Sequence, residues 1–364
     1  MVPHIIIATG VYPPEIGGPA TFTIFFEEEL RKRGIPYTTI PFSGVRFLPK
    51  GIRHIAYFLR VLRAIRGRSI VLALDPVSVG FPAVLAAWIR GTPFYLRAGG
   101  DYAWEQATSR WNFQGLPEEF PGDFKLPLSG KLLVWAERFV ARRAKRILTQ
   151  SGHLASIVER WGVSRDTISV IPNSIVLPEL PTHEEARKQY NFGDERVVVS
   201  AGRFVPWKGM SAVMNASKEI SHIRLVLAGD GPERHALEAQ ANVQTQFVGA
   251  LSREKLFTLL RAADVFVLNT RYEGFSHQIL EAMAIGIPII TTDIPGNREL
   301  AEEGKTALIV PWNDEKRIAE AIRRLLTDAG LARTVAEGAQ ARAKEFTPER
   351  TFTETVKALG ISLN

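Results

Sequence analysis

The chain has no cysteine, which excludes disulfides, thiolate metal sites and thiol nucleophiles while permitting a reducing compartment. Long apolar runs are also missing. Val79 to Ile89, interrupted by Pro82, falls well short of the roughly 20 residues that cross a bilayer, so no transmembrane helix is expected. The opening run His4 to Ala8 has no basic leader or small-residue cleavage site and is too brief for a signal-peptide core; it reads as a first strand. Neither a D-x-D, an H-E-x-x-H nor a Cys/His cluster is present, so no metal site is expected. The two common phosphate-loop fingerprints are absent as well: there is no G-x-G-x-x-G, and Gly304, Lys305 and Thr306 have Glu299 where the earlier glycine of a P-loop belongs.

What remains is ordinary globular material, 364 residues with 46% hydrophobic and 23% charged, enough for two domains. The net charge of +7 is unevenly placed. Residues 1 to 180 carry 22 Lys and Arg against 14 Asp and Glu, and the remainder 23 against 24, so the halves stand at +8 and −1. An anionic partner of the first half, a membrane surface or a phosphorylated acceptor, is one reading; solubility is the other.

Short β-branched runs alternate with amphipathic segments from the start: HIIIATG (4 to 10), TFTIFFEEELRKRG (21 to 34), YTTIPF (37 to 42), GIRHIAYFLRVLRAIRG (51 to 67), SIVLALD (69 to 75), FPAVLAAWIRG (81 to 91) and PFYLRAG (93 to 99). This is the pattern of βαβ units and a parallel sheet buried on both faces. An irregular stretch from Asp101 to Ser129 precedes a helix around Lys131 to Lys145. After ISVIPN (168 to 173), a polar stretch with Pro178, Pro181 and the Glu184 to Lys188 region reads as a linker. The alternation restarts at RVVVSAGR (196 to 203) and runs through RLVLAGD (224 to 230), TQFVGA (245 to 250), VFVLNT (265 to 270), PIITTD (288 to 293) and ALIV (307 to 310), which predicts a second doubly wound domain.

The most specific motif is YEGFSHQILEAMAIGIPIITTD (272 to 293), with Glu273 and Glu281 eight positions apart across a loop and a helix start. A helix beginning near Ser276 would offer the N–H groups of Ser276, His277 and Gln278, together with its dipole, to a diphosphate. Glu281, a turn inside, can accept hydrogen bonds from both hydroxyls of a ribose, and Glu273 can reach a sugar beyond the phosphates. The competing reading makes Glu281 a helix-surface residue.

These residues resemble the large retaining glycosyltransferase family that includes bacterial mannosyltransferases and sucrose synthase: family 4, glycosyl transferases group 1, of the GT-B fold. The family's E-G-F-x-x-x-x-x-E pattern followed by G-x-P stands here as Glu273, Gly274, Phe275 and Glu281, then Gly286, Ile287 and Pro288. The resemblance covers nearly the whole chain. It implies two facing Rossmann-like doubly wound α/β domains with an interdomain cleft: residues 1 to 180, acceptor-binding and joined by a C-terminal helix over 346 to 364, and residues 181 to 345, binding the nucleotide-sugar donor. It also implies that Glu281 binds ribose, that Gly274 and Phe275 present backbone N–H groups to the donor sugar, and that Glu273 steadies that sugar and its developing charge.

A second motif, AGRFVPWKG (201 to 209), places Arg203 at a strand end and Lys208 five residues later. Two cations converging there would stabilise a nucleoside diphosphate leaving group more in the transition state than in the ground state; the alternative is an exposed turn with two solvated cations. By resemblance Arg203 and Lys208 do serve the leaving group, Gly17 and Gly18 of PPEIGGPATF (13 to 22) lie over the diphosphate, and backbone at Ala250 and Leu251 meets the base. LRAGGDYAWEQ (96 to 106) brings Asp101 to a strand end where relatives have a histidine near the transferred sugar; Asp101 is read as a sugar or acceptor contact, against the alternative of a loop-ordering Asp.

Arg53, Arg60, Arg63 and Arg66 in one helix, and Arg138, Arg142, Arg143, Lys145 and Arg146 in another, could meet anionic headgroups. Ile55, Phe58, Leu59, Leu62 and Ile65 nevertheless fit a stripe that packs on a sheet, and core packing is the reading adopted. The expected reaction is metal-independent, retaining transfer of a sugar from a nucleotide diphosphate sugar to a hydroxyl acceptor, which is a glycan, a lipid-linked molecule or a small molecule. No cofactor and no nucleic-acid partner is expected, and the expected location is the cytoplasm; peripheral contact on the inner membrane face is left as an alternative. A nucleotide-sugar epimerase of the same fold and a degenerate nucleotide-sugar-binding module are the rivals.

Overall fold

A computed structural model describes residues 2–15 and 17–362; Met1, Ile16, Leu363 and Asn364, including the end of the expected C-terminal segment, lie outside the described residues. The chain divides into two compact units, Met1–Asn173 with Pro348–Asn364, and Ser174–Thr347.

The first unit holds six strands: β1 (His4–Thr9), β2 (Tyr37–Pro41), β3 (Ser69–Ala73), β4 (Phe94–Arg97), β5 (Arg146–Thr149) and β6 (Ile168–Val170). They form one parallel sheet in the order β2-β1-β3-β4-β5-β6. Alternation decides its two layers. Ile6 and Ala8 face a cluster with Tyr57, Val61 and Ala83, while Ile5 and Ile7 face Phe22, Phe26 and Phe352. Phe352 belongs to helix Pro348–Ala358, which packs on the first unit: its ring lies 5.8 Å from that of Phe26, and Thr351 Oγ1 donates to the Pro172 carbonyl at 3.0 Å.

The second unit repeats the plan with β7 (Arg196–Ala201), β8 (Ile223–Ala228), β9 (Thr245–Gly249), β10 (Val265–Leu268), β11 (Ile289–Thr292) and β12 (Leu308–Val310), ordered β12-β11-β10-β7-β8-β9 and parallel throughout. Val197 and Val199 face one helical layer, Val198 the other. The chain leaves β7 toward β8 on one side and returns to β10 on the other, so the strand order reverses between β7 and β10. Ligands of open α/β sheets bind at such a switch point, beyond the carboxyl ends of the strands.

Three expectations change. The polar stretch read as linker is ordered: Thr182 and Glu185 form a capping box that starts helix His183–Tyr190, and Ile175, Leu177 and Leu180 pack on the core of the second unit, so that unit begins at Ser174 and not at residue 181. The irregular region after Asp101 contains helix Tyr102–Trp111. Helix Ile52–Ala64 rolls its core face to Tyr57 and Val61, with Ile65 just beyond it, leaving Ile55 63% exposed and Leu59 partly exposed, because most of its circumference is apolar and the stripe could be drawn in more than one register.

Candidate donor site in the second unit

The connection after β7 opens the site. Gly202 has φ +148°, and a Cβ there would lie 3.2 Å from Gln278 Nε2, so the strand end and the first turn of helix His277–Ile285 are neighbours. The loop after β8 is laid across the same segment backbone on backbone: Phe204 N–H donates to the Asp230 carbonyl at 2.9 Å, and Cβ atoms on Gly229 or Gly231 would meet backbone atoms of Gly202 or Phe204 at 1.8 and 2.3 Å. Only glycine permits that approach.

Arg203 is exposed, and no protein partner of its side chain is found among the described residues. Lys208 ends a short 3-10 turn, Pro206–Lys208, and its Nζ donates to Glu273 Oε1, both side chains being mostly buried. The turn is tied down at both ends. Arg271 N–H donates to the Trp207 carbonyl at 2.7 Å, and Asn269 Nδ2 donates to the Gly209 carbonyl at 2.8 Å while also bonding Asn313 Oδ1 at 2.7 Å. The loop after β10 is thereby fixed against the loop after β7.

Glu273 is held from the other side by Gly296, where a Cβ would stand 1.7 Å from the Glu273 carbonyl oxygen. Gly274 and Phe275 are buried, and Ser276 is the N-cap of helix His277–Ile285, its Oγ accepting from the Ile279 N–H at 3.3 Å. Ser276 therefore precedes the helix and supplies its cap, and the N–H groups of His277 and Gln278 belong to the first turn, ahead of the helix's own ladder of hydrogen bonds. The first turn carries no acidic side chain, so the positive end of the dipole is not neutralised within it.

One turn inside, Glu281 is buried, contrary to the competing reading of a helix-surface residue, and Arg253 Nε donates to its Oε1 at 3.3 Å. Burial raises the Glu281 pKa to about 7, against the opposing pull of the Arg253 charge. Arg253 opens helix Arg253–Ala262, capped by Ser252, directly after Ala250 and Leu251. The segment that follows β9 and the carboxyl of Glu281 are linked through this one guanidinium.

In the first unit, Gly17 is the N-cap and Gly18 the first residue of helix Gly18–Lys32, beyond the carboxyl end of β1. Asp101 is placed differently from its reading as a sugar contact. It is buried, caps helix Tyr102–Trp111 by accepting from Trp104 N–H at 2.7 Å, and accepts from Trp161 Nε1 at 3.2 Å. Burial first, and then the neighbouring Asp101 charge, raise the pKa of Glu137, which is hydrogen-bonded to Asp101. The geometry favours the loop-ordering alternative, and Asp101 is not carried into the site. Gly229, Gly231, Gly296 and Arg253 escaped the sequence reading; the A-G-D-G run at 228 to 231 and P-G-N at 295 to 297 were the available signals.

Residues 182–342 match the model for glycosyl transferases group 1, and residues 5–174 the glycosyl transferase 4-like domain. The chain belongs to the family 4 glycosyltransferases. Among curated relatives, the α-D-kanosaminyltransferase of Streptomyces kanamyceticus is 31% identical over 43% of this chain and 42% of its own length. The chain spans about half the length of the curated relatives it matches. Two solved structures share the GT-B fold along the whole chain: HepE of Anabaena, in complex with UDP and glucose, at 17% identity, 99% coverage of both chains and a TM-score of 0.78, and sucrose-phosphate synthase of Thermosynechococcus elongatus at 20%, 98% of both and 0.79.

Proposed function

We propose that this family member transfers a sugar from a nucleoside diphosphate sugar to a hydroxyl acceptor, with retention at the anomeric carbon. The observation that carries the reading is the convergence, at the switch point of one sheet, of the Lys208–Glu273 pair, a Ser276-capped helix start and a buried carboxyl one turn inside that helix. The N–H groups of the first turn and the two cations Arg203 and Lys208 bind the diphosphate, Glu281 accepts from the ribose hydroxyls, backbone at Ala250 and Leu251 meets the base, and Gly274, Phe275 and Glu273 hold the sugar.

As the bond between the anomeric carbon and the phosphate oxygen breaks, the electron pair stays on that oxygen, and Arg203 and Lys208 stabilise the added charge. The acceptor hydroxyl forms the new bond from the same face and passes its proton to the departing phosphate oxygen. Glu273 orients Lys208 and stabilises positive charge developing on the sugar; no protein nucleophile enters. The acceptor is a glycan, a lipid-linked molecule or a small molecule.

The test is thermal stabilisation by UDP, GDP and ADP, with EDTA present, in wild type and Glu281→Ala. A shift specific to one nucleotide and lost in the variant supports the donor site and narrows the sugar. No shift with any of them removes the main support and favours a degenerate module. Turnover of the donor with no acceptor present, giving an epimer, would favour the epimerase.

A further inference from the structure

Arg253 stands where helix physics gives no reason for a cation. It is the first residue of helix Arg253–Ala262, capped by Ser252, whose Oγ accepts from the Lys255 N–H at 3.4 Å. The first turn of a helix carries the positive end of its dipole and favours an acid, as the next residue, Glu254, supplies. The Arg253 guanidinium turns instead to the helix packed alongside, His277–Ile285, where its Nε donates to Glu281 Oε1 at 3.3 Å. Its Cζ lies 5.0 Å from the centre of the Phe257 ring, one turn further along its own helix, and Phe257 is fixed in the core of the second unit. A planar cation resting on a fixed ring has its direction set.

The pair leaves much of its bonding capacity unused. An arginine that meets a carboxylate squarely closes two parallel bonds at about 2.7 to 2.9 Å. Arg224 and Glu195 of the same unit do so, Nε to Oε2 at 2.6 Å and Nη2 to Oε1 at 2.9 Å. Arg253 and Glu281 share one longer bond, and Nη1, Nη2 and Glu281 Oε2 have no hydrogen-bond partner among the described residues. Among those residues Arg253 is also the one charged group that acts on Glu281; helix Ala329–Ala343, β10 and β11, which pack on the same helix, bring none. Its charge opposes the upward push that burial gives the Glu281 pKa.

A ribose diol needs both kinds of partner. Each hydroxyl has one hydrogen to donate and two lone pairs to fill, and a carboxylate alone answers only the donors. We propose that Arg253 is a ribose-recognition residue of the donor site, donating from its Nη groups to the same hydroxyls from which Glu281 accepts. This role rests on the donor-site reading above. It adds that the site selects ribonucleotides over deoxyribonucleotides through a pair, and that the cation holds Glu281 in its accepting form near neutral pH.

The test is calorimetric titration of the full chain with UDP, GDP and ADP, and then with the 2′-deoxy form of whichever binds, from about pH 6 to 8, a range that brackets Glu281. Wild type should prefer the ribonucleotide by about tenfold or more, and Arg253→Gln should bring the ratio below about threefold. The pH of half-maximal affinity should rise by about one unit or more in Arg253→Gln; titration of the nucleotide's own phosphate is common to both proteins. Arg253→Lys keeps the charge without the fork, so it should keep the wild-type midpoint and lose most of the discrimination. Both variants should melt close to wild type, because the Arg253 side chain is 41% exposed. If Arg253→Gln binds too weakly to titrate, Arg253→Lys carries the comparison of ratios. An unchanged ratio overturns the proposal, whatever the midpoint does, and leaves the donor site standing. Wild type that binds none of the three nucleotides overturns the donor reading and this role with it.

Discussion

Asp101 in the first unit and Glu281 in the second are both buried, and burial raises the pKa of both. Their partners differ. Asp101 accepts from the Trp104 N–H and the Trp161 indole and is bonded by Glu137, so its own unit occupies it. Glu281 has a longer bond from Arg253, whose side chain is itself partly exposed. Burial raises the pKa of an acid whatever the acid is for. What separates a structural carboxyl from a binding one is how much of its hydrogen-bonding capacity the protein has already filled.

The comparison is sharpened most by pH. With a pKa of about 7 in the folded state, above that of an unfolded glutamate, Glu281 ionises first in the unfolded chain. Its contribution is therefore most favourable below the unfolded pKa and is lost as pH rises to about 7, a change of ~3 kcal/mol. Asp75, Asp101 and Glu137 add slopes of the same sign, so the difference between wild type and Glu281→Gln isolates the one group. Urea denaturation at pH 5 and pH 8 should show Glu281→Gln gaining on wild type at the higher pH, while nucleotide stabilisation falls. Parallel pH profiles would mean that burial does not control this carboxyl.

Asp101→Ala should cost about 2 kcal/mol, the sum of a lost N-cap and a lost bond to the Trp161 indole, with nucleotide stabilisation unchanged. If the variant melts like wild type yet transfers sugar poorly, Asp101 contacts substrate after all and the contrast with Glu281 collapses. Ser276→Ala should cost about 1 kcal/mol for the lost cap, and it should also weaken nucleotide binding, because the first turn of helix His277–Ile285 loses its anchor. A stability loss with intact binding would show that the helix start is not the phosphate cradle.

The sheets were legible because short continuous β-branched runs alternate with segments of helical period, and Ile5, Ile6 and Ile7 are all apolar because successive residues of such a strand face opposite buried layers. β5 was the strand that escaped, since four residues beginning with Arg146 show too little pattern to separate them from the helix before. The donor motif was legible as a list of residues, but not the reason its loops meet. Gly229, Gly231 and Gly296 act through what a Cβ would strike in a distant loop, and one sequence holds no record of that neighbour. The outward roll of Ile55 and Leu59 escaped for a related reason: on a helix apolar over most of its girth, periodicity leaves the buried face undecided.

The smallest stability effect gives the cleanest test of the proposed chemistry. Lys208 is bound to Glu273, so its truncation would leave a mostly buried carboxylate unpaired and confound stability with rate. Arg203 is exposed at the end of β7 with no partner among the described residues, and Arg203→Ala should change stability by less than about 0.5 kcal/mol. If its guanidinium meets the departing diphosphate, transfer should still fall on the order of a hundredfold. The stabilisation given by the nucleoside diphosphate should shrink toward that given by the nucleoside alone. Lys208 and the helix start would then be shown to need a second cation, because the leaving group develops more charge than one ammonium already shared with Glu273 can stabilise. Unchanged turnover in Arg203→Ala would instead place the whole of that charge on Lys208 and the backbone.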